Sequence, residues 1–83
     1  MEARLDAALL AAAVQLLQND GKPHKMADLF GATLTFEKKL GDFFSTGDSK
    51  DKARFNALIT PQVMEENRID KICGRPVTWQ YQG

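Results

Sequence analysis

His24 and Cys73 are the two side chains of this sequence that could act together as a base and a nucleophile. The chain contains one histidine and one cysteine, and nucleophilic catalysis would need the imidazole to be oriented beside the thiol. Neither residue lies in a recognisable catalytic motif, and paired carboxylates or a phosphate-binding glycine pattern do not accompany them. We therefore predict that the protein is not an enzyme, that His24 is a surface imidazole and that Cys73 is a partly buried turn residue.

The cysteine content also bears on cofactors and on the cellular compartment. One cysteine excludes an internal disulfide and leaves too few thiols for a structural zinc site, so we expect no metal and no other cofactor. A reducing cytoplasm is the simplest location for such a chain. The longest apolar run, residues 7–14, is too short to cross a membrane, and no membrane partner is expected.

Basic side chains are the residues with the clearest potential for binding. Several lie close together in the sequence, where their charge could neutralise phosphates and make binding sensitive to salt. Eleven Lys plus Arg are balanced by eleven Asp plus Glu, so the same charges could instead be the solvated faces of amphipathic helices. The candidate DNA-contacting residues are Lys38, Lys39, Lys50, Lys52, Arg54, Arg68, Lys71 and Arg75.

Helical patterns dominate the part of the chain that would position these side chains. Residues 3–19 are rich in Ala and Leu without Gly or Pro, and they predict a long helix. A short helix is predicted over residues 26–30, ending at Gly31, and a polar connector precedes it. A further helix is predicted over residues 34–44 from apolar residues spaced i, i+4, i+7 and i+8, which we expect in the core: Phe36, Leu40, Phe43 and Phe44.

Capping signals delimit two more helices. A helix over residues 49–59 could begin with Asp48 or Ser49 as its N-cap, because either side chain can accept a hydrogen bond from a free backbone N–H. Thr60 followed by Pro61 has the order of an N-cap and a first helical residue. The sequence therefore predicts a brief last helix after Thr60.

The last seventeen residues carry the one convincing strand pattern. Residues 69–72 precede a turn over 73–76, after which Val77, Trp79 and Tyr81 alternate with polar residues that we expect to face solvent. A two-stranded ribbon is only marginally stable alone. We therefore expect its apolar face to pack on the helices, although Trp79 and Tyr81 could instead be a stacking platform or a contact for a protein partner.

The predicted first helix has two apolar stripes, which is more than one packed face requires. Its second stripe, formed by Leu10, Val14 and Leu17, is either buried within the chain or available to a second copy or another protein. A net charge of zero lowers the barrier to self-association. A homodimer is therefore compatible with the sequence.

The predicted elements indicate a mostly helical α+β domain over residues 1–83. In order, they are a long helix, a short helix, further helices and a terminal hairpin whose turn carries Gly74 and Arg75. This order resembles the winged-helix variant of the helix-turn-helix, a bundle of three to five helices with a C-terminal β-hairpin. The resemblance implies a small regulator or accessory protein that binds double-stranded DNA, with a recognition helix in the major groove and the hairpin as a wing. The recognition helix would be residues 36–44 or residues 50–59.

The alternative function is a protein-interaction module. In this hypothesis the chain is a small adaptor or inhibitor, of the kind that mobile elements use to occupy the surface of a host protein. The zero net charge and the broad apolar surface of the first helix favour it, and the protein partner would bind to that apolar helical face.

Overall fold

The computed structural model of the chain describes residues 3–83 and shows a mostly helical α+β fold. Within these residues, helices form the bulk of the structure and three short strands form one antiparallel sheet. The helices are α1 (Ala3–Asp20), α2 (Met26–Phe36), a 3-10 helix (Lys38–Asp42), α3 (Ser49–Leu58) and α4 (Pro61–Glu66). The strands are β1 (His24–Lys25), β2 (Ile69–Ile72) and β3 (Thr78–Tyr81).

The first helix is confirmed and is the longest element of the fold. It ends where Gly21 takes a left-handed φ of 65°, a conformation that glycine adopts without steric cost. The Gly21 N–H donates to the Leu17 carbonyl at 3.0 Å, which closes the last turn. Leu9, Ala13 and Leu17 are buried, and the helix contacts α2, α3 and β3.

The predicted caps of the last two helices are also confirmed. The Asp48 side chain accepts a hydrogen bond from the Lys50 N–H at 2.8 Å at the start of α3. The Thr60 hydroxyl accepts one from the Val63 N–H at 3.2 Å, with Pro61 as the first residue of α4. Local hydrogen bonding thus sets where both helices begin.

The middle of the chain differs from the prediction. Helix α2 continues through Gly31 to Phe36, because burial of Leu29 and Thr33 on one face outweighs the cost of about 1 kcal/mol for a helical glycine. The Thr33 hydroxyl donates to the Leu29 carbonyl at 2.7 Å, so this buried polar group is satisfied. The predicted helix over residues 34–44 is wrong, since the chain leaves α2 and forms the 3-10 helix there.

Two phenylalanines predicted to be in the core are exposed. Phe36 is the last residue of α2 and Phe43 follows the end of the 3-10 helix, so neither shares one continuous helical face with Leu40 and Phe44. Leu40 and Phe44 are buried, whereas Phe36 is 43% exposed and Phe43 is 60% exposed. The segment therefore presents two aromatic rings to solvent.

The sheet has a third strand that the sequence pattern did not reveal. The predicted polar connector contains β1, which pairs antiparallel with β3 so that His24 lies opposite Trp79. The strand order is β1-β3-β2, which makes β3 the central strand. The prediction that the polar residues of β3 face solvent is wrong for Thr78 and Gln80, both half-buried, and the Gln80 side-chain amide donates to the Gly21 carbonyl at 2.8 Å.

The core lies between the helices and the inner face of the sheet. Trp79 is 4% exposed, as predicted, and packs in one cluster with residues from all four α-helices. Phe30 and Phe55 are fully buried, and their rings stack with centroids 4.9 Å apart. None of the helices in the described part of the chain has the length and apolarity needed to span a membrane.

Candidate nucleic-acid interface

The eight predicted DNA-contacting residues are distributed over three regions of the fold. Lys38 and Lys39 lie in the 3-10 helix, and a second group lies on α3. The third group lies at and around the hairpin of β2 and β3. Six of the eight are exposed and Lys52 and Arg54 are half-buried; the exposed ones are Lys38, Lys39, Lys50, Arg68, Lys71 and Arg75.

Helix α3 presents an outward face that carries no carboxylate. At about 100° per residue, its fully exposed residues fall within an arc of about 120°. One of them, Lys50, is basic, and Asn56 has an amide that can donate and accept hydrogen bonds at once. The remaining exposed residues are small, so a partner could approach the helix backbone closely. The arc consists of Ser49, Lys50, Ala53, Asn56 and Ala57.

The acidic residues around α3 are directed into the protein's own structure. Asp48 caps the helix, and the Asp51 carboxylate accepts a hydrogen bond from the Ser45 N–H at 2.9 Å. Asp51 lies about 160° around the helix from Ala53, the centre of the outward arc. Lys50 was among the predicted contacts, whereas Ala53 and Asn56 were not, although their helical spacing from the buried Phe55 places them on the outward side of α3.

Arg54 binds within the protein. Its Nε donates to the Asp6 carboxylate at 2.5 Å, which joins α3 to the first turn of α1. Its guanidinium lies 5.3 Å from the centre of the Phe44 ring, a cation–π distance. Its Nη2 atom is buried without a hydrogen-bond partner among the described residues. Arg54 therefore holds the helices together, and we do not include it in the proposed DNA contacts.

Lys38 and Lys39 have acidic neighbours in sequence. Glu37 precedes them and Asp42 ends the same 3-10 helix, and all four side chains are exposed. The segment thus has no net charge. It is also not an α-helix, so α3 is the better candidate of the two recognition helices.

The hairpin projects its turn into solvent. Residues 73–76 are all exposed, which makes the prediction of a partly buried Cys73 wrong. Arg75 lies in this turn, away from the ladder that joins β2 to β3. Lys71 lies on the edge strand β2, opposite Trp79 of β3. Arg68 has a left-handed φ of 57° just before β2. The basic residues of the hairpin therefore occupy different parts of it, and Arg75 is the one at the tip.

His24 is half-buried and bonded, in contrast to the predicted surface imidazole. Its Nε2 lies 2.8 Å from the Asp20 carboxylate and its Nδ1 lies 3.0 Å from the Asp28 carboxylate. Both nitrogens can donate only when the ring is protonated. Burial lowers the pKa of His24, but the hydrogen bonds and charges of Asp28 and Asp20 together outweigh it and raise the pKa above its ordinary value of 6.5.

The hydrogen bond from the Lys22 N–H is the largest cause of a lowered pKa of Asp20, below the ordinary value of 3.8; burial opposes it, and the hydrogen bond and charge of His24 lower the pKa further. The three side chains therefore form an ionic bridge between the end of α1, β1 and the first turn of α2. Both ring nitrogens are engaged by carboxylates. This arrangement gives His24 a structural role and provides no contact with Cys73.

Within residues 3–83, no group of three or more His, Cys, Asp or Glu side chains could hold a metal ion. Comparison of the chain with protein-family models, with curated proteins and with solved structures gives no match. We therefore infer the function from the chain's own residues.

Proposed function

We propose that this protein is a small double-stranded DNA-binding protein of winged-helix type, in which α3 enters the major groove and the hairpin tip contacts the backbone. The observation that carries the proposal is the carboxylate-free outward face of α3. A recognition helix must bring its exposed residues against base edges and phosphates, and acidic side chains on that face would be repelled by phosphate. Lys50, near the start of α3, would hold a phosphate, and Asn56 would read a base.

The arrangement of the sheet supports the same proposal. Pairing of β1 with β3 attaches the hairpin to the segment between α1 and α2, so the hairpin has a fixed position relative to the helices. The order of a helix, a strand, two helices and a hairpin is the order of a winged helix, here with α4 as an additional short helix. Arg75 at the exposed tip would then be the wing residue that contacts the duplex.

One feature departs from a simple helix-turn-helix. The connection between α2 and α3 covers residues 37–48 and includes the 3-10 helix, whereas the turn of a helix-turn-helix has three or four residues. The proposed recognition unit is therefore α3 with the hairpin, and the longer connection contributes its two lysines only at the edge of the contact.

The test is a fluorescence anisotropy titration of duplex DNA over a series of salt concentrations. For the Lys50→Ala/Arg75→Ala double variant, loss of two phosphate contacts is expected to weaken binding and to reduce the slope of log K against log salt by about 1.8. The control, Lys22→Ala, removes an exposed lysine outside the proposed interface and should leave the slope unchanged. The proposal fails if wild type does not bind duplex at low salt, or if the double variant and the control behave alike.

A second measurement separates base reading from phosphate binding. Duplexes would first be selected from a random pool by binding to wild type. The Asn56→Ala variant should bind these duplexes with a binding free energy weaker than that of wild type by about 1–3 kcal/mol, because a bidentate amide contact to adenine is worth that much. Binding to unrelated duplex should not change. An equal loss on both kinds of duplex would contradict a base-reading role for Asn56.

The second candidate function is a protein-interaction module, and the exposed rings of Phe36 and Phe43 favour it, since exposed aromatic side chains are frequent anchors of protein interfaces. In that case wild type would capture a defined protein in stoichiometric amount, and Phe36→Ser/Phe43→Ser would not. Such a chain would also show no salt-dependent retention of DNA.

A further inference from the structure

His24 is the one histidine of the chain, and its ring joins β1 to both helices that flank it. The Nε2 atom lies 2.8 Å from the carboxylate of Asp20 at the end of α1, and the Nδ1 atom lies 3.0 Å from the carboxylate of Asp28 in the first turn of α2. The His24 side chain is 13% exposed, so water has little access to the ring. These contacts tie three consecutive elements of the chain together.

Both contacts require a protonated imidazole. An imidazolium ring donates from both nitrogens, whereas a neutral ring has one N–H and one nitrogen that only accepts. An ionised carboxylate also only accepts, so one nitrogen of a neutral ring cannot bond to the carboxylate that faces it. One of the two contacts is therefore lost when His24 loses its proton.

The contact with Asp20 is the better held of the two. The Asp20 side chain is 32% exposed, against 56% for Asp28, and its Oδ1 atom also accepts a hydrogen bond from the Lys22 N–H at 3.0 Å. Within residues 3–83, His24 is the only hydrogen-bond partner of the Asp28 carboxylate, which can turn toward water. A neutral ring is therefore expected to keep its proton on Nε2, bonded to Asp20, and to release Asp28.

The elements around this bridge offer no other group that could replace the imidazole. Asp28 is the one charged residue of α2, and β3 has no acidic or basic residue but carries the half-buried Tyr81. Histidine is the side chain whose charge ordinarily changes between about pH 5 and 8. Burial lowers the pKa of His24, but Asp28 and Asp20 together raise it above 6.5, so the bridge responds above that pH. The other charged residues of the connector and the sheet are all exposed: Lys22, Lys25, Asp70 and Lys71.

Strand β1 connects this bridge to the hairpin. It pairs antiparallel with β3, with His24 opposite Trp79. Loss of the Asp28 contact removes the side-chain bond between β1 and α2, and α2 in turn contacts α3. The hairpin stays attached to the end of α1, because the Gln80 amide donates to the Gly21 carbonyl and Trp79 is buried. The release therefore loosens the hairpin relative to α2 and α3 without unfolding the chain.

We propose that His24 is a pH-operated latch between β1 and α2, closed when the ring is protonated and open at Asp28 when the ring is neutral. The open latch lets the hairpin move relative to α2 and α3. In the proposed function, on which this last step rests, α3 and the hairpin tip bind the duplex together, so the affinity for duplex falls as the pH rises. The fall is expected to be about two- to tenfold, because the affinity cannot change by more than one half-buried ionic hydrogen bond contributes.

Two NMR measurements of the full chain from about pH 5.5 to about pH 9 test the latch without DNA. The imidazole nitrogen signals should show both nitrogens of His24 protonated at low pH and the proton on Nε2 at high pH. A nitroxide spin label on Cys73, the one cysteine of the chain and an exposed residue of the hairpin turn, broadens nearby amide signals. Its broadening of the α2 amide signals should change with the same midpoint as the His24 titration.

The variants change Asp28, which is exposed. Asp28→Asn should keep the latch closed at every pH, because an amide can accept from a protonated Nδ1 and donate to a bare one. The broadening and the duplex affinity should then lose their pH dependence. Asp28→Ala should behave at every pH as wild type does at high pH. The matched control, Asp42→Asn, removes an exposed carboxylate outside the bridge and should keep the wild-type response.

The latch is overturned if neutral His24 carries its proton on Nδ1, if the broadening does not change with pH, or if Asp28→Asn keeps the wild-type response. A duplex affinity that is constant over this pH range would overturn the coupling to DNA binding. If wild type binds no duplex at any pH, the proposed function fails, and the nitrogen signals and the spin label still decide the latch.

Discussion

The pair formed by Asp6 and Arg54 is expected to stabilise the fold measurably while taking Arg54 out of DNA binding. An exposed ion pair contributes about 0–1 kcal/mol, whereas removing one partner of a fully buried pair costs about 3–5 kcal/mol. The side chains of Arg54 and Asp6 are 32% and 21% exposed, which places this pair between the two cases. We expect a coupling free energy of about 1–2 kcal/mol from these bounds.

A double-mutant cycle isolates this coupling. Asp6→Asn removes the carboxylate charge and keeps the shape of the side chain. Arg54→Met keeps an apolar stem but also loses the cation–π contact with Phe44, which is worth about 0.5–1 kcal/mol. The double variant should be less destabilised than the sum of the two singles by the coupling free energy. Asp6 lies in the first turn of α1, where it also interacts with the helix dipole, and the cycle removes that contribution.

Urea denaturation followed by the fluorescence of Trp79 provides the free energy of unfolding. Trp79 is the one tryptophan of the chain and is 4% exposed, so its emission reports exposure of the core. In a chain of this size, 1 kcal/mol corresponds to about 4–8 °C in the melting temperature, which thermal scans would resolve. A coupling below about 0.3 kcal/mol would refute the assigned ion pair.

DNA binding supplies an independent check on the same residue. If Arg54 is held by Asp6, then Arg54→Met should leave the salt dependence of duplex binding as it is in wild type. Lys50→Ala should reduce the slope by about 0.9 for one lost phosphate contact. An equal reduction in the Arg54 variant would mean that its guanidinium leaves Asp6 to bind phosphate.

The remaining predictions concern pH, a helix cap and the aromatic core. Because folding raises the pKa of His24 above 6.5, protonated His24 stabilises the fold fully below pH 6.5, and this stabilisation is lost as the pH rises through the raised pKa. Urea denaturation at several pH values should therefore show a fall in the free energy of unfolding in wild type and not in His24→Gln. Asp48→Ala should cost about 0.5–2 kcal/mol by urea denaturation, through loss of the α3 cap. In thermal scans Phe55→Ala should cost about 3–5 kcal/mol because Phe55 is fully buried, whereas Phe43→Ala, at an exposed ring, should cost less than about 0.5 kcal/mol.

Three outcomes would contradict these predictions. A pH dependence that is the same in wild type and His24→Gln would mean that the imidazole bridge does not stabilise the fold. An Asp48→Ala variant as stable as wild type would mean that another group caps α3. Equal destabilisation by the two phenylalanine substitutions would contradict the assignment of one ring to the core and the other to the surface.

Elements with local signals were predictable from the sequence. Helix α1 follows from helix propensity and the stop at Gly21, and the starts of α3 and α4 follow from Asp48 and Thr60, whose side chains cap nearby N–H groups. The burial of Trp79 follows from alternation in β3. In each case the cause lies within a few residues of the element that it determines.

The structure of the chain from β1 to the end of the 3-10 helix was not predictable from such local signals. Gly31 is a plausible helix end by propensity, but α2 continues because the core covers one of its faces. Strand β1 has two residues and no alternation to detect, so it exists only because β3 lies beside it. Phe36 and Phe43 are exposed because α2 ends at Phe36 and the 3-10 helix ends before Phe43, and the apolar spacing does not reveal this break in the helix.

The candidate sites divide in the same way between features set by neighbouring residues and features set by tertiary contacts. The sequence by itself determined α1, the caps of α3 and α4 and the apolar face of the hairpin, because propensity, capping and alternation are properties of neighbouring residues. Only the tertiary structure decided that Arg54 is held by Asp6, that His24 is bonded between two aspartates and that α3 turns Ala53 and Asn56 outward. The Arg54 pair joins residues distant in the chain, and the orientation of α3 depends on which of its faces the core covers. The His24 bridge depends on the turn of the chain between α1 and α2, which brings the carboxylates four residues to either side onto the ring.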